Sequence, residues 1–399
     1  MCLNPKLIKN KRYLPNAKNG GIPPICDDER KLKVPVGCGL CIECRKQKAN
    51  NWRIRIAEEL KENGDAMFVT FSFSNESIEH LENEWRRIEK SEPDANDVAT
   101  LGMRRFLERI RKLTGKSIKH IAFTELGQEN TERIHLHAIF WDIKKYMVKN
   151  KWGLNHSPTL TEKWSYGNCY YGDYCNEKTA NYIVKYILKT DPKHNEFIPK
   201  VLCSKGIGKR YIGTINAKNN EYNGTETREY YRFNNGAKGQ LPIYYRNKIY
   251  TEDQRDNLWT NLLDKEIRFV MCIKIDVSTE KGMKEYEKSC EYWSGVDARH
   301  GNTQQKYKLK KDRIKYKAQI RYLAHQTKFR KQLENDIHKS QYGENRPINF
   351  EKSVASSKFD LKWRKSSKSE KSSNKNASKL VDGGPIEVLC EENRPKSNP

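Results

Sequence analysis

His135-Leu136-His137 lies inside the apolar run Arg133 to Trp141, which has the length and the β-branched and aromatic content of a buried strand. Successive side chains of a strand leave opposite faces, so the two imidazoles share one. Two imidazoles on one face can hold a divalent ion if a third ligand joins them. The upstream run 118–126 reads as a second strand, joined to the first by the polar loop 127–132. As an antiparallel hairpin the two runs bring Glu125 close to both histidines. A His, His, Glu set with open positions suits Mn²⁺ or a catalytic Zn²⁺ on ligand grounds, and Mg²⁺ less obviously. The plain alternative is a pair of hydrogen-bonded sheet histidines, because short motifs match by chance.

Residues 178–190 read as a helix ended by Asp191-Pro192. Tyr182 and Tyr186 are four apart and share one helical face, and each has a lysine three residues later, Lys185 and Lys189. A free phenol, with a pKa near 10, is a poor nucleophile at neutral pH. Neighbouring ammonium groups and a metal stabilise the phenolate, and a metal also polarises a phosphate under attack. The chemistry of such a set is transesterification, giving a 5′-phosphotyrosine and a free 3′-hydroxyl. Read alone, a Tyr-x-x-x-Tyr stripe is more often packing. Its combination with the histidine pair points to the cutting of a DNA strand, with Tyr182, Tyr186 and Lys185 as the catalytic set.

Cys38-x-x-Cys41-x-x-Cys44 is the other arrangement with metal-ligand spacing. Three thiolates are one short of a closed structural zinc site, and Cys2 or Cys26 can supply the fourth. The alternative is a set of buried free cysteines at a helix start. Eleven cysteines, with no signal-peptide pattern and no apolar run of membrane-spanning length, argue for reduced thiols or metal in a cytoplasmic protein.

The elements that must position these residues follow from periodicity. An amphipathic helix runs from about Glu43 to Lys61, then an apolar strand at 66–74. A charged stretch, 75–97, reads as loop and helix, and a second amphipathic helix carries Leu101, Phe106, Ile110 and Leu113. Residues 150–177, rich in Gly, Asn and aromatics, read as a loop-bearing segment. A further helix is expected from Glu252 to Lys265. Strands and helices without strict alternation favour an α+β fold, a central antiparallel sheet flanked by helices. The net charge of +25 on 399 residues favours polyanionic partners, RNA as well as DNA. Tyr166, Tyr170, Tyr171 and Tyr174 can stack on unpaired bases or serve as packing. From 301 to 340 there are 12 Lys or Arg against 3 Asp or Glu, in a helix-compatible stretch. Beyond about 352, Ser, Lys and Asn dominate and disorder is expected. Neither Gly115-Lys116-Ser117 nor Gly206-Ile207-Gly208-Lys209 completes a phosphate-binding loop, so the chain carries no sign of its own helicase motor.

At these residues the chain resembles the HUH endonucleases, specifically the replication initiation proteins of small single-stranded DNA phages of the gokushovirus type. Met67 to Ser74 is similar to the first family motif. His135 and His137, with Glu125 and Gly127, match the second, and Tyr182, Tyr186 and Lys185 the third. Cys2-Leu3-Asn4-Pro5, the Cys38/Cys41/Cys44 cluster and Leu241 to Arg246 extend the likeness over roughly residues 1–265. Thr124 departs from it, standing where a glycine is usual. The resemblance implies Mg²⁺ or Mn²⁺ as working metal at Glu125, His135 and His137, and favours Cys2 as the fourth thiolate. It implies an HUH-type core at 61–215, preceded by a Cys-rich segment and helix at 1–60. A basic C-terminal region at 216–350 and a disordered tail at 351–399 would follow. The implied function is rolling-circle initiation on origin DNA in the host bacterial cytoplasm, with host helicase and polymerase as partners. Rival readings are a relaxase or single-strand transposase, a non-catalytic single-strand binding protein, and a zinc-stabilised RNA-binding protein.

Overall fold

Alternation of burial along the strand Ile134–Trp141 organises the molecule. Ile134, Leu136, Ala138 and Phe140 enter one apolar layer, while Ile139 and Trp141 enter another on the opposite side. A computed structural model describes residues 2–299, apart from 128–131, 190–193 and 195–196, together with scattered positions between 312 and 335. The elements below belong to the compact unit Met1–Lys331. The helix stop at Asp191-Pro192, most of the 127–132 loop and the tail 351–399 lie outside the described residues.

Five antiparallel strands form the central sheet: β1 (Ala66–Ser72), β2 (His120–Leu126), β3 (Ile134–Trp141), β4 (Cys169–Tyr174) and β5 (Val201–Cys203). Their order is β4-β1-β3-β2-β5, which puts the histidine strand in the middle. One face is covered by α2 (Asn75–Glu89), α3 (Ala95–Thr114) and α4 (Pro158–Trp164). There Phe71 meets Phe106 and Trp164 at centroid distances of 5.1 and 4.5 Å. Helix α3 begins at an Asp94/Asp97 capping box and ends on Gly115 in the left-handed region. The other face carries α1 (Ile42–Glu62) and α5 (Glu177–Leu188), whose Ile56, Ala57, Ala180, Ile183 and Ile187 share a core with Ile121, Phe123, Ile139 and Trp141.

Segment 150–177 is more ordered than its composition suggests: it contains α4 and the edge strand β4. Its alternation is hidden because β4 pairs on one side only and its register slips between Met67 and Val69. Gly167 permits the approach to β1, since a Cβ there would stand 2.5 Å from the Ser72 carbonyl oxygen. Residues 209–258 build a third core around Ile54 of α1, with Tyr211, Tyr231, Tyr245 and Leu258. The later helices are Glu252–Asp264 and Glu280–Arg299. In the basic stretch, the described positions between 312 and 335 are helical, and all but Ile320 are exposed. Among the described residues no helix is long and apolar enough to cross a membrane.

Candidate active site

The sheet register decides what stands around the histidines. Ser72 and Glu125 lie opposite His135, and Thr70 and Phe123 lie opposite His137. All project from the face that bears α1 and α5. From its place opposite His135, Glu125 reaches diagonally to His137, whose Nε2–H donates to Oε2 at 2.5 Å. The other ring nitrogen, Nδ1, accepts from the Thr70 hydroxyl at 3.1 Å. The second carboxylate oxygen of Glu125 pairs with the Lys189 ammonium, which stands just past the end of α5. Burial opposes ionisation of Glu125, but the contacts from His137 and Lys189 outweigh it and hold the carboxyl below its usual range. Burial, with His137 adding to it, lowers the His135 pKa and keeps that imidazole neutral.

Helix α5 is set at its start by an Asn176/Thr179 capping box and pressed onto the sheet by its apolar stripe. This carries the tyrosines over the histidine strand. The Tyr186 ring lies parallel to the His137 imidazole, with centroids 4.0 Å apart and 2° between planes. Its hydroxyl donates to the Tyr182 oxygen at 3.1 Å. The Lys185 ammonium sits 3.6 Å from the centroid of the Tyr182 ring. Phe68 of β1 meets Tyr182 edge-on at 5.9 Å.

The two phenols are not equivalent. Tyr182 is 46% exposed and Tyr186 only 6%. The hydrogen bond from Tyr186, helped by Lys185 and opposed by burial, draws the Tyr182 phenol below the usual tyrosine range. Burial drives the Tyr186 phenol well above it. The outer hydroxyl is therefore the better nucleophile, and the inner one acts on it as a donor.

The structure gathers Glu125, His135, His137, Tyr182, Tyr186 and Lys185 on one face of the sheet. Their donor chemistry fits a divalent cation: a neutral imidazole, a second imidazole and an ionised carboxylate, now balanced by a proton and an ammonium. In the arrangement shown Glu125 closes on His137 and Lys189. The group of three or more ligand atoms that lie within 4.8 Å of one another, among the described residues, is instead Cys2, Cys38, Cys41 and Cys44. That cluster can hold a metal ion, and Cys26 stays apart, its thiol donating to the Asp28 carbonyl at 3.1 Å.

Thr70 and Lys189 join the site although residue type alone did not single them out as catalytic. For Lys189 the signal was present, as the second Tyr-x-x-Lys unit. The aromatic set 166–174 divides: Tyr166 accepts from Arg109 at 2.9 Å and is buried, and Tyr171 bonds Thr161 at 3.0 Å. Tyr170 is 60% exposed and pairs with Thr70, in the same cross-strand row as His137.

Residues 66–191 match a family of replication-associated proteins, the one described by its member ORF2. The match takes in β1 to β4 and α5, hence every residue of this site, and excludes the cysteine cluster. The chain is also similar to replication-associated protein VP4 of Bdellovibrio phage phiMH2K, 23% identical over 221 residues, which cover 52% of this chain and 65% of that protein. Replication-associated protein ORF2 of Spiroplasma virus 4 is 28% identical over 190 residues, covering 44% of this chain and 57% of that one. The chain thus spans less than two thirds of the length of these relatives. No solved structure matches it.

Proposed function

Residues 66–191 place this chain in the ORF2 family of replication-associated proteins, with relatives in phages, and on that premise we propose that it initiates rolling-circle replication by cutting one strand of origin DNA with a tyrosine. Tyr182 attacks the phosphorus at the origin. A bond from its oxygen to phosphorus forms as the bond to the 3′ oxygen breaks, leaving a 5′-phosphotyrosine and a 3′-hydroxyl primer. One proton leaves the phenol and one is taken up by the departing 3′ oxygen, so the step is a balanced transesterification.

Lys185 and the Tyr186 hydroxyl favour the phenolate of Tyr182. Glu125, His135 and His137 would hold Mg²⁺ or Mn²⁺, which when bound supplies a Lewis acid for the phosphate oxygens. Thr70 fixes the ring of His137 through Nδ1, and the flat contact with Tyr186 fixes its other side. After one circuit Tyr186 cuts the regenerated origin, and the released 3′-hydroxyl attacks the first phosphotyrosine to close the displaced strand. Single-stranded origin DNA is the substrate, in the host bacterial cytoplasm. Unwinding falls to a host helicase and extension to a host polymerase, since the sequence has no complete phosphate-binding loop.

The observation that carries this reading is the Tyr186 ring lying on His137 with the Tyr182 hydroxyl beside it. The test is to incubate purified protein with its single-stranded genome and Mn²⁺ or Mg²⁺, then run a denaturing gel. A metal-dependent protein–DNA band that Tyr182→Phe abolishes or strongly reduces supports the reading. Tight, salt-sensitive binding with no adduct would replace it with a non-catalytic single-strand binding protein.

A further inference from the structure

Four thiols meet at the start of α1, 36 or more residues of chain separating Cys2 from the rest. The Sγ atoms of Cys2 and Cys41 are 3.8 Å apart, those of Cys38 and Cys44 are 3.9 Å apart, and all four lie within 4.8 Å of one another. These separations are far beyond the roughly 2.05 Å of a disulfide. They match a different geometry. Four sulfurs about 2.3 Å from one ion stand roughly 3.8 Å apart at the corners of a tetrahedron. An iron–sulfur cluster would place each thiolate on a separate iron and so hold the sulfurs wider apart.

The surroundings suit negative sulfur. Backbone N–H groups of Asn4 and Cys38 donate to the Cys2 Sγ at 3.3 and 3.1 Å. Those of Leu40 and Cys41 donate to the Cys38 Sγ at 3.4 and 3.2 Å, and that of Cys44 to the Cys41 Sγ at 3.5 Å. Such donors stabilise thiolates and orient their lone pairs. Gly37 leaves room for the sulfurs, because a Cβ there would stand 3.0 Å from the Cys44 Sγ. Cys38, Cys41 and Cys44 are buried, which suits a closed coordination shell with no open position.

We propose that Cys2, Cys38, Cys41 and Cys44 hold one Zn²⁺ as a closed structural site, and that this ion fastens the N-terminus of the chain to the first turn of α1. Cys41 is the N-cap of α1, so the metal holds the helix start itself. The same turn receives two later segments. Asp297, on the helix Glu280–Arg299, accepts from the Ile42 N–H at 3.0 Å and from Arg45 at 3.2 Å. The carboxylate of Glu43 accepts from the Met271 N–H at 2.8 Å. Helix α1 in turn packs beside α5, so the ion braces the tyrosine helix from behind without touching it.

The site is tested on the full-length chain, without DNA, so the result is independent of the nicking reaction. Elemental analysis after gel filtration should give one zinc per chain and no iron, and X-ray absorption should show sulfur neighbours at about 2.3 Å. Cys41→Ser should lose the metal, whereas Cys26→Ser should keep it. Stripping the wild-type chain with a chelator should lower its melting temperature, and Zn²⁺ should restore it. A wild-type chain that stays metal-free after refolding with Zn²⁺, with Cys38 and Cys44 as reactive towards thiol reagents as the exposed Cys203, would overturn the proposal. So would a visible iron–sulfur chromophore in place of zinc.

Discussion

The two faces of the central sheet are built from alternate residues of the same strands, yet they do opposite things. On one face Val69, Phe71, Leu136, Ala138 and Phe140 interlock with α2, α3 and α4, and the core is apolar throughout. On the other, Ile139 and Trp141 are equally buried, but towards the opposite end of β3 the row turns polar at His137 and His135, with Thr70 and Glu125 beside them. One-residue alternation therefore separates packing from chemistry within a single strand. The apolar face makes β3 rigid, and that rigidity is what lets a pair of imidazoles and a carboxylate be held in register.

Experiments can break this division at either face. The largest effect belongs to the chemical face: Tyr182→Phe together with Tyr186→Phe should lower adduct formation at least about a thousandfold while circular dichroism stays unchanged. On the packing face, Phe71→Ala should cost about 3–5 kcal/mol in urea unfolding, because it opens a cavity between Phe106, Phe140 and Trp164. Tyr170→Ala should weaken binding of single-stranded DNA by about 1–3 kcal/mol in a fluorescence titration, with folding unchanged, if its exposed ring stacks on a base.

Two titrations sharpen the comparison further. The folded pKa of Glu125 is depressed, so its contribution to stability is complete above the ordinary carboxylate range and is lost as pH falls through the folded value. Glu125→Gln should flatten that acid limb of the stability curve, while a substitution on the packing face should shift the whole curve downward. The smallest effect is spectroscopic. Tyr186→Phe removes the largest cause of the lowered Tyr182 pKa, so the earliest tyrosine ionisation, followed by ultraviolet absorbance, should move to higher pH.

Local pattern was enough for some of this. Alternation in 134–141 and helical spacing in 178–188 identified the histidine strand and the tyrosine helix, because side-chain direction in regular structure depends only on residue count. The spacing of Cys38, Cys41 and Cys44 was likewise visible as a metal pattern. Short edge elements were not: β4 and α4 lay hidden in a glycine- and aromatic-rich stretch, since an edge strand with one partner and a register slip leaves little periodicity. Contacts between distant segments were also beyond local pattern. The ion pair of Lys189 with Glu125 depends on where α5 docks. So does the burial of Tyr186 beside the exposure of Tyr182, because two residues four apart are alike on an isolated helix. The choice of Cys2 over Cys26 depends on how the N-terminus folds back onto α1. Residue order determined which side chains share a strand face or a helix face. Only the packing of elements far apart in sequence decided which of them meet, which stay wet, and which phenol is free to act.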